Sequence, residues 1–265
     1  MKIGKLQSYF FVLGLIPLFH SCSLTGGDKE TIIQVEKEFS INMYEQLGTT
    51  RRLYFELESI EVDSCLNSSI DRAVIVNSKE VSLLLNGIEP ASDCNPGVAP
   101  ATSTVHAGYF SNGVYDFLVT TRNLFTDEGI LTIDDEKYVI DMSSSDGISI
   151  VNSTLYRIPE QVIWGYYAYD DENLVGDAPK QFQTELESLV QVATLKKGYY
   201  GDFQIGSNNE LVLLKAAPSF NYSKTFFYKY TGSEAQLKEL LKNYREGQAG
   251  NHMELVIFTS NGSVL

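Results

Sequence analysis

Apolar and polar residues alternate with a period of two through most of residues 51–158. Leu53, Phe55 and Leu57 alternate with Tyr54, Glu56 and Glu58. Ile60 and Val62 then take the opposite phase, which predicts a strand with a bulge near Ser59. Residues 73–76 form a short apolar run, and Val81, Leu83 and Leu85 alternate up to the turn signal Asn86-Gly87. Residues 105–110 and 114–121 flank Asn112-Gly113 and read as a hairpin. Residues 130–133 and 138–142 flank Asp134-Asp135-Glu136 and read as another. Residues 148–151 and 155–158 add two short strands, while 89–104, with Pro90, Pro96 and Pro100, reads as a loop. No helical period is sustained anywhere in this region. Many short strands with regular turns predict an antiparallel β-sandwich, immunoglobulin-like, over 51–158. The Cys…Trp…Cys arrangement of antibody domains is absent, since the only tryptophan is Trp164.

The period changes after Pro159. Residues 162–169 read as a strand. Asp177 and Pro179 then open a helix whose apolar stripe is Phe182, Leu186, Leu189, Val190 and Ala193. Residues 199–205, 211–216 and 225–230 are strand-like. Ser233-Glu234-Ala235-Gln236 is a capping box, and Leu237, Leu240, Leu241 and Tyr244 form the stripe of a second helix behind it. Residues 253–259 are the last strand. Strand, helix, strand, strand, helix, strand is the ferredoxin-like βαββαβ plan, expected over 159–265. The expected whole is therefore two domains, β followed by α+β. Both faces of the strand 162–169 are aromatic, with Trp164 and Tyr166 on one and Tyr167 and Tyr169 on the other. Helices cover only one side of such a sheet. The other side is expected to pack on the sandwich or to serve as a binding platform for a glycan or protein ligand.

The first 22 residues have a different pattern. Lys2 and Lys5 precede an apolar run from Tyr9 to Phe19, and Ser21-Cys22 ends it. This is the layout of an export signal, and the run is too short to span a bilayer. With its cysteine after a small residue, the segment resembles the lipobox signal of bacterial lipoproteins. The resemblance implies cleavage after residue 21, a diacylglyceryl group on Cys22 and a membrane anchor through that lipid. Ser23 in the next place implies sorting to the outer membrane. Residues 22–50 would be the lipidated cysteine and a lead-in, polar over 23–30 and irregularly strand-like over 31–50.

Charge narrows the partners. The formal net charge of the 265 residues is −14, and removing Lys2 and Lys5 with the signal takes it to −16. Phosphate backbones and anionic lipid surfaces should repel such a chain, so no nucleic-acid partner is expected. If Cys22 carries lipid, Cys65 and Cys94 remain, and in an oxidising compartment they are expected to form one disulfide. No nucleophile elbow, phosphate loop, dinucleotide fingerprint or zinc-helix motif occurs. His106 and His252 stand alone in sequence, and neither Asp134-Asp135-Glu136 nor Asp170-Asp171-Glu172 has calcium-loop spacing. No catalytic residue, metal or cofactor is assigned. The expectation is a non-catalytic envelope lipoprotein acting in binding, adhesion or assembly, with an envelope hydrolase of unrecognised site as the alternative.

Overall fold

The computed structural model describes residues 36–215 and 219–265. The signal segment, Cys22 and the lead-in through residue 35 lie outside the described residues. Ten strands build the first half: β1 (Phe39–Gln46), β2 (Arg52–Cys65), β3 (Ser69–Val76), β4 (Glu80–Glu89), β5 (Pro96–Gly108), β6 (Gly113–Thr121), β7 (Phe125–Ile133), β8 (Lys137–Met142), β9 (Ile148–Ile150) and β10 (Thr154–Tyr156). They form a four-stranded sheet in the order β5-β2-β1-β9 and a six-stranded sheet in the order β10-β8-β7-β6-β4-β3. The inward rows of both sheets share one core, with Phe39, Ile41, Met43, Phe55, Leu83 and Phe117 at its centre.

The alternation placed most strands correctly and several features differently. The stretch read as an irregular lead-in contains β1, an inner strand of the first sheet, so that sheet begins at Phe39 and not at Arg51. The loop expected at 89–104 is largely the long strand β5. It accommodates Pro96 and Pro100 because it is an edge strand, where a missing N–H breaks no inner ladder. The hairpin expected around Asn112-Gly113 does not form, since β5 and β6 belong to different sheets. The same crossing makes β4 and β6 parallel: the chain leaves one sheet for β5 and returns in its original direction. β1 and β9 are parallel as well, so the sandwich is not wholly antiparallel. The hairpin of β7 and β8 forms as expected, Ile133 opposite Tyr138. The bulge near Ser59 is present: β2 shifts register against β5 between Glu58 and Val62. Asn86-Gly87 is a second irregularity, inside β4, where Gly87 takes a φ of +139°.

Cys65 and Cys94 are bonded, with their sulfurs 1.97 Å and their Cα atoms 5.3 Å apart. The bond ties the far end of β2 to the segment entering β5. Cys94→Ser should lower stability by about 2–3 kcal/mol, the lower part of the usual range, because β3 and β4 inside the loop are also held by the core. Thiol titration of the folded protein should find neither Cys65 nor Cys94 free before reduction; two reactive thiols would contradict the bond.

The second half holds β11 (Val162–Tyr169), α1 (Glu172–Val175), α2 (Ala178–Leu189), β12 (Gln191–Val192), β13 (Gly198–Tyr199), β14 (Phe203–Ile205), β15 (Leu211–Leu213), β16 (Tyr222–Lys229), α3 (Glu234–Arg245) and β17 (Met253–Thr259). One antiparallel sheet runs β12-β16-β11-β17. β13, β14 and β15 form a separate three-stranded meander. The strand expected at 199–205 is therefore not in the main sheet. It bends back on itself at Gly201, whose φ is +87°, and the two residues of β12 take its place. The apolar stripes of α2 and α3 lie on one face of the main sheet, packed on Ile163, Tyr167, Phe226, Leu255 and Ile257. Ser233 caps α3 by accepting from the Gln236 N–H. Asp177 stands at the start of α2 without a side-chain capping bond. Gly165, mid-strand in β11, permits a close approach: a Cβ there would lie 2.0 Å from the Val256 carbonyl oxygen of β17.

Candidate functional site

β11 is buried along almost its whole length because it is covered on both faces. Tyr167 faces the helices and meets Phe182 edge-on at 6.0 Å. Its hydroxyl donates to Gln183, and Tyr169 stacks half-buried on Tyr222. Trp164 and Tyr166 face the other way, into a third core with Phe203, Ile205, Leu211 and Leu213 of the meander. The two-sided aromatic pattern is thus correct, but its cover is different. The meander lies over Trp164 and Tyr166, and the sandwich side contributes Ile158 to this core and Leu47 and Tyr156 at its margin. The four aromatic residues are not an exposed platform. They are core, apart from the half-buried Tyr169.

The meander also reaches the sandwich. Tyr199 joins the sandwich core, and the Asn42 amide donates to its hydroxyl at 2.7 Å. Lys215 pairs with Glu56 of β2 at 2.7 Å, and its ammonium lies 3.7 Å from the ring centroid of Tyr44. The described residues accordingly form one compact unit. Where β1, the meander and the C-terminal turn meet, they leave a cavity of about 260 Å³. Its walls include Tyr44, Trp164, Asp202, Lys215, Phe258 and Val264.

Local structure fixes each wall. Asp202 sits in the turn entering β14, and its carbonyl accepts from the Leu214 and Lys215 N–H groups, which locks the base of the meander. Tyr44 projects from the outer row of β1, opposite in phase to the core residues Phe39, Ile41 and Met43. Thr259 and Ser263 border the cavity, but their hydroxyls are engaged within the C-terminal turn and with Glu234. Burial raises the Asp202 carboxyl above its ordinary range; Lys215 opposes that shift and Glu56 adds to it. Burial first, and then the charges of Asp202 and Glu56, raise the Tyr44 phenol. The buried indole N–H of Trp164 has no acceptor among the described residues. Chemically the cavity offers a carboxyl group, an ammonium and apolar walls.

A raised carboxyl pKa means that the folded state binds a proton more readily than the unfolded chain. The Asp202 contribution is therefore favourable below its unfolded pKa and lost as pH rises through the folded one. Asp202→Asn should raise the melting temperature at neutral pH, and the gain should shrink as pH falls through the carboxylate range. Thermal melts of both proteins across pH would show this; a variant less stable at neutral pH would contradict it.

The histidines fall elsewhere. His106 is exposed on the outer row of β5, with its ring 4.9 Å from that of Tyr54. His252 is exposed in a wide groove also lined by Tyr166, Asp170, Asp171, Arg245 and Glu254. No hydrogen bond joins His252 to a carboxylate among the described residues. Asp134 accepts from the N–H groups of Glu136 and Lys137, and Asp171 from that of Asn173, so these acids cap turns. No group of three metal-ligating side chains occurs among the described residues. No helix among them is long and apolar enough to cross a membrane.

Sequence reasoning missed two features. The Tyr44–Asp202–Lys215 grouping joins residues far apart in sequence and had no local signal. Glu45 did have one: it continues the inward row Phe39, Ile41, Met43, where a carboxylate is out of place unless paired. It is paired, with Arg51 at 3.1 Å and Arg157 at 3.0 Å, and it accepts from the Tyr138 hydroxyl at 2.7 Å. Comparison of the chain with protein-family models, with curated proteins and with solved structures finds no match.

Proposed function

We propose that this protein is a non-catalytic lipoprotein of the bacterial cell envelope, held at the outer membrane by a lipid on Cys22 and acting in binding, adhesion or structural assembly. In this reading the first half is an immunoglobulin-like β-sandwich. The second is a ferredoxin-like domain with the meander inserted after its second strand. The sheet order β12-β16-β11-β17 with both helices on one face supports the latter. Such plans host many functions and carry no activity by themselves. The observation that carries the binding reading is the cavity between β1, the meander and the C-terminal turn. It is lined by aromatic and charged side chains, and its hydroxyls are already engaged. The basic, apolar and Ser21-Cys22 series supports the anchor. Cells fed a fatty-acid analogue should label the wild-type chain and not Cys22→Ser; an unlabelled wild type would end the lipoprotein reading.

The second reading, an envelope hydrolase, rests on the groove that gathers His252 with Asp170, Asp171 and Glu254. It requires His252 to act as a general base with one of them. Hydrolysis of envelope esters or glycosides by the wild type, lost in His252→Ala at unchanged stability, would favour it over the binder.

A further inference from the structure

We propose that the open edge of β3 is an interface through which two copies of this chain pair, antiparallel about a two-fold axis at Ile75. The inference rests on the assembly reading above and names its partner as a second copy. Among the described residues, β3 is the edge strand that lacks protection. β5 carries Pro96 and Pro100. β9, β10, β12, β13 and β15 have two or three residues each. β17 is paired at Ile257 with Leu265. β3 is eight residues long, and only its first half is covered. There the Ser103 hydroxyl of β5 accepts from the Ile70 N–H and donates to the Ile70 carbonyl. Beyond it, Ala73-Val74-Ile75-Val76 has no charge, proline or register shift. Ile75 is 50% and Val76 40% exposed. Edges this long are usually blunted, and an unblunted one is a template for another strand.

The ladder fixes which groups are on offer. The Asn77 N–H donates to the Glu80 carbonyl at 2.9 Å and closes the hairpin of β3 and β4. Bonded pairs alternate from there, so Ile75 bonds to Ser82, while Val74 and Val76, opposite Leu83 and Val81, point their N–H and carbonyl groups away from β4. These groups have no backbone partner among the described residues. Setting Val74 of one copy opposite Val76 of the other satisfies all of them and puts Ile75 against its own symmetry mate. The same register brings exposed Lys79, in the turn after β3, toward exposed Asp71 of the second copy, once on each side of the axis. That opposite-charge match selects a second copy, in a chain whose net charge of −14 otherwise opposes self-association. Centring on Val74 instead would set Asp71 against Asn77 and Arg72 against Val76, and lose the match. An edge that pairs with itself is used up, so assembly stops at two.

Cysteine cross-linking of the full chain in cells tests the register. Facing residues of an unbonded antiparallel pair have Cα atoms about 4.5 Å apart, within disulfide reach. Ile75→Cys should therefore give a dimer-sized band on a non-reducing gel after mild oxidation, and the wild type none. Two Ala73→Cys thiols would lie about 13 Å apart along the strands, so that variant should give at least tenfold less. Val74→Pro removes an outward N–H and leaves the ladder to β4 intact, so added to Ile75→Cys it should abolish the band. An unchanged melting temperature would show that this variant is folded. Should it fail to fold, Ile75→Lys, which sets like charges face to face, should turn a wild-type dimer in detergent into a monomer by sedimentation. No band with Ile75→Cys, an equal band with Ala73→Cys, or a dimer that survives Val74→Pro or Ile75→Lys would overturn the pairing. A band that joins Ile75→Cys to a different protein would overturn the second copy and keep the assembly reading. No band, together with no envelope component retained by the wild type, would remove that reading as well.

Discussion

Glu45→Ala should destabilise the protein by about 3 kcal/mol, at the lower end of the cost of removing one partner from a buried ion pair. The Glu45 side chain is only 3% exposed and faces two guanidinium groups, Arg51 at 17% and Arg157 at 22%. Without the carboxylate, two cations remain side by side and the Tyr138 hydroxyl loses its acceptor. Partial access to water keeps the penalty from the upper end of the range. The Tyr138 phenol is raised chiefly by burial and next by the charge of Glu45, so its titration should move toward ordinary values in the variant. Replacing all three charged residues by methionine should recover most of the loss, because it also removes the need to desolvate charge. Urea unfolding of the three proteins checks this; a loss under about 1 kcal/mol for Glu45→Ala would show that the triad is solvated.

Phe182→Ala should cost about 3–5 kcal/mol, the range for truncating a fully buried phenylalanine. Phe182 has no exposed surface and stands among Tyr167, Phe226 and Tyr244, with ring centroids 5.5–6.4 Å away. It is the main link between α2 and the sheet, so the cavity left behind cannot close without shifting the helix. Phe182→Leu should lose much less, since it refills most of the volume. Thermal unfolding followed in the near ultraviolet would separate the two; equal losses would mean that aromatic contact, not volume, holds α2.

Where the signal was local, the chain could be read. The stripes Phe182/Leu186 and Leu237/Leu240/Leu241, the Ser233 cap and the strand 253–259 all depend on residues within a few places of each other. Each is found as expected. Pairing between distant strands left no such mark. Val105 and Phe117 each lie on a buried row, yet their strands lie in different sheets, because alternation fixes which face is buried and not which neighbour is paired. β12 has two residues and no pattern of its own, so the longer apolar segment 199–205 looked like the better second strand. The site followed the same rule. Trp164 was visible as an aromatic on a predicted strand, but its cover by Phe203 and Leu213 depends on a meander whose position only the fold specifies.

The placement of β1 bears on how the chain reaches this state at all. It is made before its partners: Phe39 pairs with Ile148, and Asn42 bonds to Tyr199, 157 residues further on. Until those partners arrive, Phe39, Ile41 and Met43 are an apolar strand with one edge open, the kind that recruits other chains. Distant pairings of this sort must close large loops before they gain anything, so refolding should take milliseconds to seconds or longer. A chain that crosses a membrane unfolded and starting from its amino terminus would present β1 early and its partners late. If this chain is exported in that way, as proposed above, its yield should depend on holding chaperones that shield β1 until its partners have emerged.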